Sequence, residues 1–399
     1  MSICLAAGDL SRSLPSFAGD WDELFGEVCR NGLLGLTNRY LAVGTSASMV
    51  PDTFRAAVEQ GCVVSQIHMR AMYYWIFEIL RALSDADIEV VVLKGPALAH
   101  SIYPSPGLRV FGDLDLMVRE RDMLTAHAVL TDHGLLARQM LDKVPPKLTH
   151  ACTTYELVYR DPASKFVLEM HYDDLLNAGL VSRDLDGYWN RSVLVTLPGA
   201  VVRTLSLEDH LLHLCAHTHY HGYVKLNWFS DIAFIVRDRH DELDWDQFVR
   251  VTRREEAKVA VFYSLTLLEK LFGIAAPRDV IMAITPDRFR QWAHTYFVPM
   301  DRVLGPESMP RPDFSFYHLP VLKRLLPDLL VMGRRREKVR YLLRLLAPPP
   351  AWLRSYYQLG ATQPIAGHYI LHPLKLGWHL GTEIAAIPRR NGPWWHSHA

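Results

Sequence analysis

The sequence lacks paired cysteines. Its five, Cys4, Cys29, Cys62, Cys152 and Cys215, are scattered over 399 residues, odd in number and without a C-x-x-C pair. That argues against a disulfide framework or a thiolate zinc site and for free thiols in a reducing compartment. No apolar run approaches the ~20 residues needed to span a bilayer. The first residues hold a brief apolar stretch with no basic start. A signal peptide is therefore not expected, and a cytoplasmic location is. Neither sign of charge predominates, since 43 Lys and Arg balance 43 Asp and Glu. Bulk charge thus announces neither a nucleic-acid coat nor an acidic partner. G-x-x-x-x-G-K-[ST], H-R-D and D-F-G are also missing, which argues against kinase-type phosphotransfer. There is no internal repeat and no low-complexity segment. What the chain does have is 49% hydrophobic residues, over a length with room for two or three domains.

The informative stretch runs from Val90 to Val118. Val90-Val91-Val92-Leu93 is an apolar run stopped by Lys94-Gly95-Pro96, the pattern of a buried strand ending in a turn. Pro96 suits the first helical position, so a helix from there to about Tyr103 is expected. Free N–H groups at such a start attract phosphate, and Gly95 lets a ligand approach the backbone. After Pro104-Ser105-Pro106-Gly107, a second apolar run carries Asp113 and Asp115. Residues i and i+2 of a strand share a face, so the two carboxylates project side by side. Such a pair repels and is costly to desolvate without a cation. Hard oxygen ligands of this kind suit Mg²⁺ held between carboxylates and substrate phosphates. The alternative is a solvated strand end with two surface aspartates, against which the flanking apolar residues argue.

Further on, Thr154–Tyr159 and Phe166–His171 flank Asp161-Pro162-Ala163-Ser164, a hairpin signal. On the second of these runs Glu169, His171 and Asp173 share one face. The alternative is a Glu and a His on an exposed hairpin face.

Strand, glycine turn, short helix and a strand with Asp-x-Asp together resemble the nucleotidyltransferases of the DNA polymerase β superfamily. Leu93-Lys94-Gly95-Pro96-Ala97-Leu98, Leu108-Arg109 and Gly112-Asp113-Leu114-Asp115-Leu116-Met117-Val118 look like the bacterial family of uncharacterised nucleotidyltransferases. Leu168-Glu169-Met170-His171-Tyr172 resembles that family's acidic-x-His-aromatic segment. The likeness covers roughly residues 85–235. One departure is Pro96, standing where the broader superfamily follows its glycine with Ser or Gly; Lys94 or Arg109 would compensate in holding phosphate.

The resemblance implies a metal-dependent transfer of an NMP group from an NTP to an acceptor, with release of pyrophosphate. It also implies a third carboxylate from a later, neighbouring strand, for which Glu169 is the candidate and Asp173 the reserve. Asp113, Asp115 and Glu169 would then be catalytic and hold two Mg²⁺ ions, Mn²⁺ being the substitute. Lys94, Gly95, Arg109, Gly112 and His171 would meet the nucleotide. The acceptor stays open between small molecule, peptide or protein, and RNA. The alternative function is a catalytically silent nucleotide- or RNA-binding scaffold of the same fold.

The rest of the chain is mostly helical. Residues 1–85 form an amino-terminal helical region, 86–205 the catalytic core and 206–399 a carboxy-terminal helical domain. Apolar spacing over Met69, Met72, Trp75, Ile76, Ile79 and Leu80 marks a helix face that covers one side of the sheet. Glu120–His133 reads as a helix ended by Gly134, followed by a strand near Leu135–Met140. Pro198-Gly199 separates two further β-prone runs, 192–197 and 200–205, which form a hairpin on the sheet or an extended crossing to the next domain. His210, His213, His217 and His221 stack on one helix face. The readings for them are a metal site or a face packed near the nucleotide or buried with satisfied nitrogens. Trp228 and Asp231 border the substrate cleft or serve as core and cap. Arg334-Arg335-Arg336, Lys338, Arg340 and Arg344 lie on a basic amphipathic helix. It meets an anionic partner or forms a solvated face above a core-facing stripe. The expected architecture is α+β, a small mixed sheet flanked by helical regions.

Overall fold

The structure is a computed structural model describing residues 19–43, 50–137, 156–172, 175–176, 184–291, 335–348 and 363–385, with residues 329, 350, 353, 354, 357 and 359. Helix α1 (Trp21–Arg30) starts on Asp20, whose carboxylate accepts the Asp22 N–H at 2.8 Å. Helices α2 (Leu34–Val43) and α3 (Asp52–Asp85) follow. Then β1 (Val91–Leu93) runs into α4 (Lys94–Ser101). The chain changes direction at Lys94, whose φ is 41°, and at Gly95, whose φ 3° and ψ −97° are not helical, before the helix proceeds from Pro96. A 3-10 turn at Pro106–Leu108 leads to β2 (Asp113–Met117).

Helix α5 (Met123–Asp132) is followed by Gly134 at φ 90° and by β3 (Leu136–Ala137). β4 (Glu156–Arg160) and β5 (Val167–His171) make the expected hairpin. Its turn is closed by Asp161, which accepts the Ala163 N–H at 2.8 Å. Helix α6 (Leu185–Arg191) precedes the hairpin of β6 (Val193–Leu197) and β7 (Ala200–Thr204), turned at Gly199 with φ 85°. Helix α7 (Leu207–Tyr220) is capped by Ser206. After it come α8 (Leu226–Asp238), α9 (Trp245–Arg254), α10 (Lys258–Phe272) and α11 (Arg278–Ile284). The last described elements are α12 (Arg335–Leu346) and α13 (Ala366–Ala385). No helix among the described residues is long and apolar enough to cross a membrane.

The strands form one seven-stranded sheet in the order β3-β4-β5-β2-β1-β7-β6. β2 lies antiparallel to β1 and parallel to β5, and β1 lies parallel to β7. This is the mixed sheet flanked by helices that the sequence leads one to expect. Period two sorts the sheet into two faces. Val92, Leu114, Leu116, Leu168, Met170 and Tyr172 turn into a core with Met72, Ile76 and Ile79 of α3 and Ala126 and Leu130 of α5. Val91, Leu93 and Met117 turn the other way, into a core shared with α1, α2, α7, α8 and α10. Phe54, Val58 and Cys62 of α3 belong to this second core, so the one helix serves both.

Two contacts fix the surroundings of the site. Helix α2 meets the Pro106–Leu108 turn so closely that a Cβ on Gly35 would lie 2.7 Å from Leu108 Cα and against the Gly107 carbonyl. That backbone-to-backbone contact seats the turn that precedes Arg109. Asp209, fully buried at the start of α7, takes a two-pronged contact from Arg191, with Nε at 2.8 Å and Nη2 at 3.0 Å. Arg191 also donates to Asp184 at 2.8 Å, so α6 and α7 are tied at their facing ends. On α12, Val339, Leu343 and Leu346 are exposed and Leu345 is half-buried. Arg334 and Asp173 lie outside the described residues.

Candidate active site

The site grows out of the centre of the sheet. Strand pairing sets Leu93 opposite Asp115 and Asp115 opposite Glu169, so three adjacent strands meet at one level. Lys94, the residue after Leu93, leaves β1 beside that carboxylate. Its Nζ lies 2.8 Å from Asp115 Oδ1, and both side chains are buried. Burial works against the ammonium, but Asp115, Glu169 and Asp113 outweigh it and raise the Lys94 pKa. Burial likewise pushes the Asp115 carboxyl up, yet Lys94 and His171 hold it below the usual range. Asp113, half-buried at the beginning of β2, is pushed up by desolvation and by the charge of Asp115.

His171 is two residues beyond Glu169 on β5 and almost fully buried. Its Nε2 stands 3.5 Å from Asp115 Oδ1, while its Nδ1 is buried without a partner. Asp115, Glu169 and His171 each offer one ligand atom, and these lie within 4.8 Å of one another. Two carboxylates and an imidazole at that spacing fit a divalent cation by donor chemistry. The orphaned Nδ1 is the kind of buried polar atom that a ligand satisfies. This is the group of metal-suited residues found among the described residues. Asp113, expected in that role, stands beside the trio and not within it. Gly112, immediately before it, borders open space, so nothing packs where a Cβ would stand. At Gly95 the close approach is to the Phe111 ring, 3.1 Å from where a Cβ would be.

The histidine face of α7 closes over this cluster. His217 Nδ1 lies 3.5 Å from Lys94 Nζ. His213 Nδ1 donates to the Leu175 carbonyl at 2.6 Å, which leaves its Nε2 buried and unpartnered. His210 is farther back, 3.5 Å from Thr204 Oγ1, which itself donates to the Val92 carbonyl at 2.7 Å. Burial depresses all four imidazoles, His210 and His221 to about 3. The Lys94 charge adds to the depression at His213, His217 and His221. At neutral pH the face is therefore uncharged, a polar lining that adds no repulsion to Lys94. Trp228 of α8 packs on it, with its ring 4.9 Å from that of His217 and 5.0 Å from that of His221.

Arg109 has a different occupation from the one expected at phosphate. Its Nε and Nη2 donate to Asp231 Oδ1 and Oδ2 at 2.7 and 2.8 Å, and its Nη1 donates to the Val110 carbonyl at 2.6 Å. Tyr103 adds a hydroxyl at 2.6 Å to the same carboxylate. Asp231 is fully buried in α8, so this bidentate pair locks the turn before β2 to the helix. Sequence reasoning noticed Asp231 but not its partner, because nothing local links residues 122 apart in the chain. It also missed the direct Lys94–Asp115 pairing, although both residues were singled out.

Residues 18–273 match the family described as uncharacterised nucleotidyltransferase. No curated protein matches the chain. Among solved structures, the chain is similar to an antigenic nucleotidyltransferase-like protein from Paracoccidioides brasiliensis, at 14% identity and a TM-score of 0.29, over 53% of this chain and 91% of that one.

Proposed function

The chain belongs to the uncharacterised nucleotidyltransferase family, and on that premise we propose that it is a metal-dependent enzyme transferring an NMP group from an NTP to an acceptor, with pyrophosphate as the other product. The observation that carries the reading is the level alignment of Asp115 and Glu169 on adjacent strands, with Lys94 and His171 against them. Asp115, Glu169 and His171 would hold Mg²⁺ or Mn²⁺, with Asp113 alongside. Such an ion lowers the pKa of an acceptor hydroxyl and offsets charge on the triphosphate. The protein's own part is to supply fixed charge and to order the reactants.

Lys94 offers a buried positive charge to the phosphates, where low dielectric makes it worth more than in water. Gly112 leaves open space beside Asp113. Glu169 would serve the acceptor, so its charge would matter most as the acceptor oxygen closes on the α-phosphorus and the bond to pyrophosphate breaks. His171 orients the carboxylate beside it. Arg109 acts at one remove, holding the turn before β2 through Asp231.

The test is incubation of the full chain with each α-³²P NTP, Mg²⁺ or Mn²⁺, and a lysate fractionated into small molecules, RNA and protein. Label should pass to one fraction with the wild type and to none with Asp115→Asn. A wild type that labels nothing favours the silent scaffold, a nucleotide-binding one if a metal–NTP mixture stabilises it against heat and an RNA-binding one if none does.

A further inference from the structure

Positive and negative charge balance over the whole chain but not along it. Residues 338–399 hold seven Lys or Arg against a single acid, Glu383. The same stretch carries four of the ten tryptophans. Cations mixed with leucine and tryptophan are the composition that suits a boundary both anionic and apolar.

Helix α13 lies in this stretch and is apolar on two sides. On one side His372 is buried and Tyr369, Leu376 and Leu380 are half-buried. That side is tied down, since His372 Nε2 lies 3.1 Å from the Leu345 carbonyl oxygen of α12 and its Nδ1 3.2 Å from the Tyr357 hydroxyl. On the other side Ile370, Leu371, Leu374 and Trp378 follow one another at helical spacing and are 70, 49, 66 and 72% exposed. No atom stands within 4 Å of where a Cβ on Gly367, Gly377 or Gly381 would be, so the face is bare at those positions too. Lys375 is exposed on the same helix.

A single exposed leucine means little, but a row of large apolar side chains on the outer face of a packed helix marks a surface that is covered in use. What covers it must also match the excess of positive charge. A second copy of the chain would bring like charge to like. RNA would match the charge and leave Trp378 and the leucine row in water. A bilayer of anionic lipid answers both, with headgroups for the cations and the acyl boundary for the apolar row.

We propose that the outer face of α13 seats on the surface of an anionic phospholipid bilayer, with Ile370, Leu371, Leu374 and Trp378 at the boundary between headgroups and acyl chains. The helix lies in the plane of the surface, as no described helix is long and apolar enough to cross it. This surface is independent of the candidate active site, and neither reading stands or falls with the other.

The test is sedimentation of the full chain with vesicles of phosphatidylcholine, alone or with phosphatidylglycerol added. Wild type should pellet with the anionic vesicles and bind the neutral ones at least about tenfold more weakly, and high salt should release it. A double variant, Leu374→Ser with Trp378→Ser, should bind anionic vesicles at least about tenfold more weakly, with circular dichroism unchanged. The blue shift of tryptophan emission on adding anionic vesicles should shrink in Trp378→Phe. A wild type that stays in the supernatant overturns the proposal. So does a folded double variant that binds as well as wild type, because charge alone would then suffice. A wild-type dimer in solution that the double variant makes monomeric overturns it in favour of a second copy. RNA binding lost in the double variant, without vesicle binding by wild type, overturns it in favour of nucleic acid. Should the double variant not fold, the wild-type vesicle comparison and the emission of Trp378→Phe still decide.

Discussion

Two buried pairs of a cation and an aspartate lie close together in this protein and are finished differently. Arg109 and Asp231 are closed. Three guanidinium nitrogens are spent, both carboxylate oxygens are bonded, and a tyrosine hydroxyl fills in. Lys94 and Asp115 are open. The ammonium has one short contact and a second at 3.5 Å, and in the same site His171 Nδ1 and His213 Nε2 are buried without partners. A pair that uses all its hydrogen-bonding capacity works as a strut, since breaking it strands a charge and nothing can be added to it. A pair with capacity to spare is where a ligand is received. Arginine suits the first role through its rigid fork, and lysine the second as a compact charge with three donors.

The largest expected effect breaks the open pair. Asp115→Asn should lower label transfer by ~10³-fold or more, while circular dichroism reports an unchanged fold. Turnover within tenfold of wild type would erase the contrast. Next, Glu169→Gln should cost kcat ~10²–10³-fold with KM for the NTP nearly unchanged, because it serves the acceptor more than the triphosphate. His171→Ala in the same assay should be milder.

The closed pair should fail in stability instead. Asp231→Ala strands the Arg109 guanidinium and should cost about 3–5 kcal/mol in denaturant unfolding; a loss below about 1 kcal/mol would show that the pair is not a strut. The smallest effect sharpens the same point from outside. Gly35→Ala pushes α2 off the turn that precedes Arg109 and should cost about 1–3 kcal/mol. It should leave Mn²⁺ binding at the open pair unaltered.

Much of the architecture was legible because it rests on local rules. Period two put Asp113 and Asp115 on one face, and Glu169 and His171 on one face of the neighbouring strand. The Asp161 turn made the expected hairpin, and at Pro198-Gly199 the hairpin holds and not the extended crossing. The apolar spacing of Met69 to Leu80 named the helix face that covers the sheet. The closed pair was not legible, since Arg109 finds Asp231 only after α8 has docked. Nor was the membership of the ligand trio. It depends on register between β2 and β5, which opposes Glu169 to Asp115 and leaves Asp113 at the strand's beginning. Periodicity tells which residues share a face but not which of them meet. The histidine spacing on α7 was visible, yet its meaning came from Lys94, a residue more than a hundred positions earlier.

Helix α3 has one further consequence. Its 34 residues extend about 51 Å at 1.5 Å per residue. The first half is gripped by α1 and α2 and the second half by the underside of the sheet. A single rod thus serves as keel to both holds of the vessel. Neither can be flooded alone, because loosening one strips the support from a helix that the other needs. A fragment ending at residue 85 would be a plank with two oiled edges and no hull to fasten it to.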